Sequence, residues 1–177
     1  VDMINGFINE GPLHDPNIGS KIPGQVSLIK EFLDNNKDVV FIKDAHTIDA
    51  KEFDSFPVHC LDGTNESELV NELKVFEEKA ITFKKNSTSA MFAKGFMDYI
   101  NSKGDLRDVT IVGCCTDICV LNLAIPLKNY FNEHNINTDV IVMEDLVETY
   151  NIPGVHDNKE YNEMGLKLMK QAGVIII

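Results

Sequence analysis

The chain has 177 residues, 44% of them apolar and 25% charged, and its 16 Lys plus Arg against 28 Asp plus Glu leave a formal charge of −12. That length is enough for one domain with a substantial core, and the composition excludes wholesale disorder. The acidity argues against nucleic acid as a partner, because no basic cluster longer than Lys84-Lys85 offsets it.

Val1-Asp2 reads as the stub of a first strand, so the native N-terminus is expected upstream. The opening residues carry neither a basic n-region nor a long apolar h-region, so no secretory signal is expected. An amphipathic stretch follows at roughly 24–36, where Val26, Ile29, Phe32 and Leu33 recur at helical spacing. Val39-Val40-Phe41-Ile42 is strand-like, 66–76 helix-like, Ala80-Ile81-Thr82-Phe83 strand-like and 90–102 helix-like. The same alternation continues through Val109-Thr110-Ile111-Val112, 116–134, Val140-Ile141-Val142-Met143, 158–171 and Val174-Ile175-Ile176-Ile177. The strand-like runs are continuously apolar, as in strands buried on both faces. Such alternation predicts an α/β fold: three αβα layers around a mostly parallel, doubly wound sheet of about six strands. No repeat or linker divides the chain, so a single domain over residues 1–177 is expected. No apolar run approaches the roughly 18 residues of a membrane span, so no membrane partner is expected.

In such sheets function sits at the carboxyl ends of the strands. Asp2 follows the strand stub, Asp44 and His46 follow the 39–42 run, Lys84 and Lys85 the 80–83 run, and Gly113 to Cys119 the 109–112 run. Polar residues at strand ends also serve as caps and turns, so position alone does not decide. The four cysteines (Cys60, Cys114, Cys115, Cys119) are too few and too unevenly placed for a disulfide scaffold, which suits a reduced, cytosolic protein with a cysteine-bearing site. In Gly113-Cys114-Cys115-Thr116-Asp117-Ile118-Cys119-Val120, Thr116 or Asp117 is placed to cap the next helix. Cys119 then lies in its first turn, where free N–H groups and a neighbouring ammonium would favour a thiolate. Cys114 reads as a small buried thiol. For Cys119 the choice between nucleophile and buried thiol stays open on residue type, and Cys-Cys-x3-Cys is not a zinc spacing.

Asp44-Ala45-His46, Glu52 and His59 provide two imidazoles and two carboxylates, a donor set for zinc, manganese or iron. The spacing is also that of a solvated acidic loop, as Asp49, Lys51 and Asp54 are read. His14 and His134 are expected at the surface, and His156 is placed to cap the last helix.

These segments together resemble the isochorismatase-like cysteine hydrolases, and within them the nicotinamidases, over nearly the whole chain. Val1-Asp2-Met3-Ile4-Asn5-Gly6-Phe7 resembles the first-strand motif with its catalytic Asp, here Asp2. Lys85-Asn86-Ser87-Thr88-Ser89-Ala90 resembles the catalytic-lysine segment, and Gly113 to Val120 the nucleophile motif, here Cys119. The resemblance implies a cis peptide at Cys114–Cys115 and an oxyanion hole from the N–H groups of Cys115 and Cys119. It implies metal ligands at Asp44, His46, Glu52 and His59, and a substrate ring held by Phe7 and Phe56. Thr88 stands where many nicotinamidases carry a Tyr, which would change the pocket wall. The implied chemistry is nicotinamide to nicotinate plus ammonia through a thioacyl-enzyme, with one divalent transition metal, zinc first, and no organic cofactor. The implied partner is a small amide, and self-association is common among such proteins. Two readings stand beside it: an amidase for ureido, carbamoyl or maleamate-type substrates, and a non-catalytic α/β binding protein. Isochorismate hydrolysis is disfavoured, since that branch does not use the Cys.

Overall fold

In the computed structural model, which describes residues 1–177, each apolar run lies in or against a strand. These are β1 (Val40–Asp44), β2 (Ile81–Lys85), β3 (Asp108–Cys114), β4 (Asp139–Glu148) and β5 (Ile175–Ile176). All pairings are parallel, β1 with β2, β3 with β4 and β4 with β5. Successive strand residues enter opposite cores, which is why polar residues do not alternate with them. Phe41 belongs to a core with Ile29, Leu69 and Leu73, whereas its neighbour Ile42 belongs to one with Leu127, Val140 and Val142.

Five strands form, not six. The remaining position is filled by residues 1–3, which hydrogen-bond to both neighbours without forming a regular strand. The Val1 nitrogen donates to Val112 O at 2.7 Å, and Cys114 N donates to Val1 O at 3.0 Å. On the other side Asp2 N donates to Ile42 O at 2.9 Å. The ladder toward β1 then stops, because Asp44 N donates to the Asp2 side-chain Oδ1 (2.9 Å) rather than to a backbone carbonyl. The spatial order is therefore β2, β1, residues 1–3, β3, β4, β5, and the winding reverses between residues 1–3 and β3. That reversal is where open α/β sheets place their ligands. Gly113 sits there with φ +123°, and a Cβ on it would overlap the Val1 backbone.

Helices α1 (Asn5–Ile8), α2 (Ile22–Asp34) and α3 (Asn71–Lys74) lie on the Phe41 face, and α4 (Phe96–Ser102), α5 (Leu121–Glu133) and α6 (Asn158–Gln171) on the Ile42 face. Two helices are shorter than their patterns predict. The 66–76 stretch is interrupted because Glu68 O accepts from Asn5 N and Val70 N donates to Met3 O, which holds residues 68–70 extended beside the first segment. The 90–102 stretch is a 3-10 turn at Ala90–Phe92 and α-helical only from Phe96, after Gly95 turns the chain at φ +82°. No helix is long and apolar enough to cross a membrane.

Candidate active site

Asp2, Lys85 and Cys119 meet at the winding reversal. Asp2 adopts φ +49°, a conformation aspartate tolerates better than most residues. Its Oδ1 is held by the Asp44 amide, and its Oδ2 lies 2.9 Å from Lys85 Nζ. Lys85 closes β2 in register with Asp44 at the end of β1. Its Nζ also pairs closely with Asp44 Oδ1 and donates to Cys119 Sγ at 3.5 Å. Carboxylate oxygens of Asp2 and Asp44 and the Cys119 sulfur all lie within 4.8 Å of one another. Asp2, Lys85 and Cys119 are 0%, 2% and 5% exposed, so little water competes with these contacts.

Cys119 stands on a single π-helical turn, Thr116–Val120, that runs into α5. The Cys114–Cys115 peptide preceding it is cis. Neither Thr116 nor Asp117 caps this turn. The Cys115 carbonyl closes it by accepting from Ile118 N and Val120 N, both at 3.1 Å, while Asp117 Oδ2 faces His156. The Cys115 N–H makes no hydrogen bond within the chain, and Cys115 and Cys119 line the same cavity. A second tie joins the lysine segment to α5. Pro126 has no N–H for the Asn122 carbonyl four residues earlier, and Ser89 Oγ donates to that carbonyl at 2.7 Å.

Burial dominates the electrostatics. It drives the Cys119 thiol well above its usual range, and the Lys85 charge offsets only part of this. A thiolate favoured by the helix end and the lysine was expected; burial beside the Asp2 and Asp44 carboxylates reverses the sign. Burial and the Asp44 charge also raise Asp2 to about 6, against Lys85's pull downward. Burial opposes the Lys85 charge, but Asp2, Cys119 and Asp44 outweigh it and hold Lys85 well above its usual value. At neutral pH the sulfur is therefore a thiol, with the mostly ionised Asp2 carboxylate within 4.8 Å.

Donor atoms of Asp44, His46, Glu52 and His59 lie within 4.8 Å of one another. His46 Nε2 is 3.6 Å from Asp44 Oδ1 and 3.7 Å from Glu52 Oε1, and His59 Nε2 is 4.0 Å from Asp44 Oδ2. His59 Nδ1 donates to Pro57 O at 2.8 Å, and His46 Nδ1 faces Asn86 Oδ1 at 3.3 Å. Asn86 Oδ1 also accepts from Thr47 N, so it is the acceptor toward both. With Nδ1 donating, each ring turns an Nε2 lone pair to the cluster centre, and His46 Nε2 is buried with no hydrogen-bond partner. This is the tautomer and orphaned donor that a metal site requires.

The cavity above Cys119 is about 30 Å³ and is lined by Phe7, Phe56, His59, Thr88 and Tyr150 among others. Both expected ring-holding residues, Phe7 and Phe56, are in that wall. Phe53, Asn86 and Tyr150 were not anticipated. Phe53 packs against His46 and His59 at centroid distances of 5.3 and 5.7 Å. Tyr150 lies two residues beyond β4, whereas the apolar run that marks this strand in the sequence ends at Met143, so the strand-end criterion does not reach it. His14 and His134 are exposed, as expected. His156 does not cap α6, which Asp157 does by accepting from Glu160 N. A larger cleft of about 430 Å³ opens beside the amino ends of β1 and β3, lined by Val40, Tyr99 and Val109, and shares none of the reactive residues.

The isochorismatase domain model matches residues 1–177. Nicotinamidase 1 of Arabidopsis thaliana is 28% identical over 204 residues, covering 100% of this chain and 83% of that protein. The crystal structure of nicotinamidase PncA from Bacillus subtilis is 27% identical with a TM-score of 0.81, covering 99% of this chain and 94% of the other. The pyrazinamidase of Pyrococcus horikoshii, solved in complex with zinc, shares the fold at a TM-score of 0.79 and 24% identity, over 99% of this chain and 94% of the other. The chain belongs to the isochorismatase domain family.

Proposed function

We propose that the protein is a nicotinamidase, a metal-assisted cysteine amidohydrolase that converts nicotinamide to nicotinate and ammonia. The observation that carries this is the buried Lys85 Nζ, 2.9 Å from Asp2 and 3.5 Å from Cys119, beside a cluster of four side chains able to hold a metal. In this reading Asp2 is the base. Its pKa of about 6 lets it take the thiol proton near neutral pH and give it back later. The Cys119 sulfur attacks the amide carbon. Asp2 returns the proton to nitrogen as the C–N bond breaks, and ammonia leaves. Water, deprotonated by Asp2, then attacks the thioacyl carbon; the C–S bond breaks, the acid leaves and the thiol is restored. Lys85 holds the carboxylate and sulfur in register. The N–H groups of Cys115 and Cys119 stabilise the tetrahedral oxyanion, roughly 3–4 kcal/mol for each such donor. Phe7 and Phe56 flank the ring. Asp44, His46, Glu52 and His59 would hold a divalent transition metal, zinc first, which would supply a Lewis acid for the pyridine ring of the substrate. Four free thiols suit a reducing, cytoplasmic setting.

Ammonia release from nicotinamide, pyrazinamide, aliphatic amides and ureido compounds, with and without chelator, tests the reading. Nicotinamide turnover that chelation abolishes is expected. Turnover of only the aliphatic or ureido compounds would overturn the substrate. Cys119→Ala should abolish turnover with the fold intact; activity within tenfold of wild type would defeat the nucleophile.

A further inference from the structure

We propose that Tyr150 is a specificity-determining wall of the amide pocket and that His156 is the positioning residue tying this wall to the turn that carries Cys119. The inference rests on the amidase reading and deepens it, because such a wall selects flat aromatic carboxamides over aliphatic ones.

Tyr150 lines the cavity shared with Cys115 and Cys119, and also an outer cleft of about 580 Å³. It therefore stands between the reacting sulfur and the exterior. Its phenol forms no hydrogen bond within the chain, so what it offers the cavity is chiefly a ring. Burial raises that phenol to about 12, which keeps it neutral.

The ring is held in place. His156 stacks on Tyr150 with centroids 4.0 Å apart and planes at 19°, and Tyr161 of α6 stacks on His156 at 3.7 Å and 26°. His156 Nδ1 lies 2.9 Å from Tyr150 O, and Nε2 lies 2.9 Å from Asp117 Oδ2. A carboxylate only accepts, so the Nε2–H tautomer is the one that hydrogen-bonds to Asp117. Asp117 sits two residues before Cys119 on the π-helical turn. Helix α6 presses on the same turn: a Cβ at Gly165 would lie 3.1 Å from Asp117 Cα. The next residue is pinned as well, since Asn151 N donates to Asp15 Oδ2 at 2.8 Å while Asp15 N donates to Phe7 O. One imidazole thus carries two separable contacts, a stack that orients the wall and a hydrogen bond that braces the nucleophile's turn.

Steady-state kinetics of the zinc-loaded full chain on nicotinamide separate them. Tyr150→Leu should raise KM about tenfold with kcat within about twofold, and Tyr150→Phe, which keeps the ring, should raise KM several-fold less than Tyr150→Leu does. His156→Gln keeps a donor for Asp117 but no ring, so KM should rise while kcat holds. His156→Phe keeps a ring but no donor, so kcat should fall about tenfold while KM holds. Circular dichroism and thermal melts establish folding, and Tyr150→Met carries the same expectation should the Leu variant not fold. An active wild type with KM unmoved in Tyr150→Leu would overturn the wall alone. Two His156 variants that shift kcat and KM alike would reduce His156 to a structural role. A wild type inert toward nicotinamide would remove the functional reading and this inference together.

Discussion

Lys85→Met takes the ammonium away from two carboxylates that are themselves buried, Asp2 at 0% and Asp44 at 1% exposure. Removing one partner from a buried ion pair costs about 3–5 kcal/mol, because a charge is left uncompensated in a poor solvent. At roughly 2–4 °C per kcal/mol for a chain of this size, the melting temperature should fall by roughly 6–20 °C. The pH dependence is more specific. Without Lys85, one carboxylate of the pair binds a proton in the folded state throughout the neutral range. The folded variant then binds one more proton than the unfolded chain, and it gains about 1.4 kcal/mol for every pH unit lowered. The wild type gains in this way only below the Asp2 value of about 6. Between pH 8 and pH 5 the variant gains over three units and the wild type over one, so the deficit should narrow by about 3 kcal/mol. Urea denaturation followed by far-UV circular dichroism, with chelator present so that no metal neutralises Asp44, measures this directly. A deficit below about 1 kcal/mol at pH 8, or one equal at both pH values, would refute a buried ammonium bridging two carboxylates.

The raised Asp2 value also predicts catalysis. The base works only when deprotonated, so kcat/KM for nicotinamide should fall on acidification through the Asp2 pKa, which burial raises above the ordinary carboxylate value, and a profile that stays flat down to pH about 4 would contradict the assignment. Gly113→Ala meets both a φ of +123° and the Val1 backbone, and should cost about 2–4 kcal/mol in urea titrations. Asn86→Ala removes the acceptor that orients His46, and should weaken zinc binding about 10–100-fold in a competition with a chromogenic chelator; unchanged affinity would mean that Asn86 does not orient the ring.

Much of the architecture could be read from order alone. Continuous apolar runs such as Val140 to Met143 mark strands covered on both faces, and that criterion depends only on neighbours along the chain. The same strands carry Asp2, Asp44, Lys85 and Cys119 to one rim, because parallel strands point their carboxyl ends the same way. The helix pattern over 66–76 misled because apolar spacing does not register the competing pairing of Leu69 and Val70 with the first segment. The shortened strand count has a similar origin, since the Asp2 carboxylate takes the amide that a backbone carbonyl would otherwise have accepted from.

The residues that act on others were hidden more deeply. Asn86 matters through a ring at position 46, Tyr150 through a sulfur at 119, and His156 through Asp117, and none of these pairs is marked by spacing. The sign of the Cys119 shift was hidden too, because desolvation depends on everything packed around the thiol and not on the turn that bears it. Sequence by itself determined the layers of this protein and the rim on which its ionisable groups collect, since both follow from local pattern and strand direction. Tertiary structure alone decided which groups touch, which side chains brace them and how strongly burial shifts their protons. Those depend on distances of a few ångströms between segments up to more than a hundred residues apart in the chain.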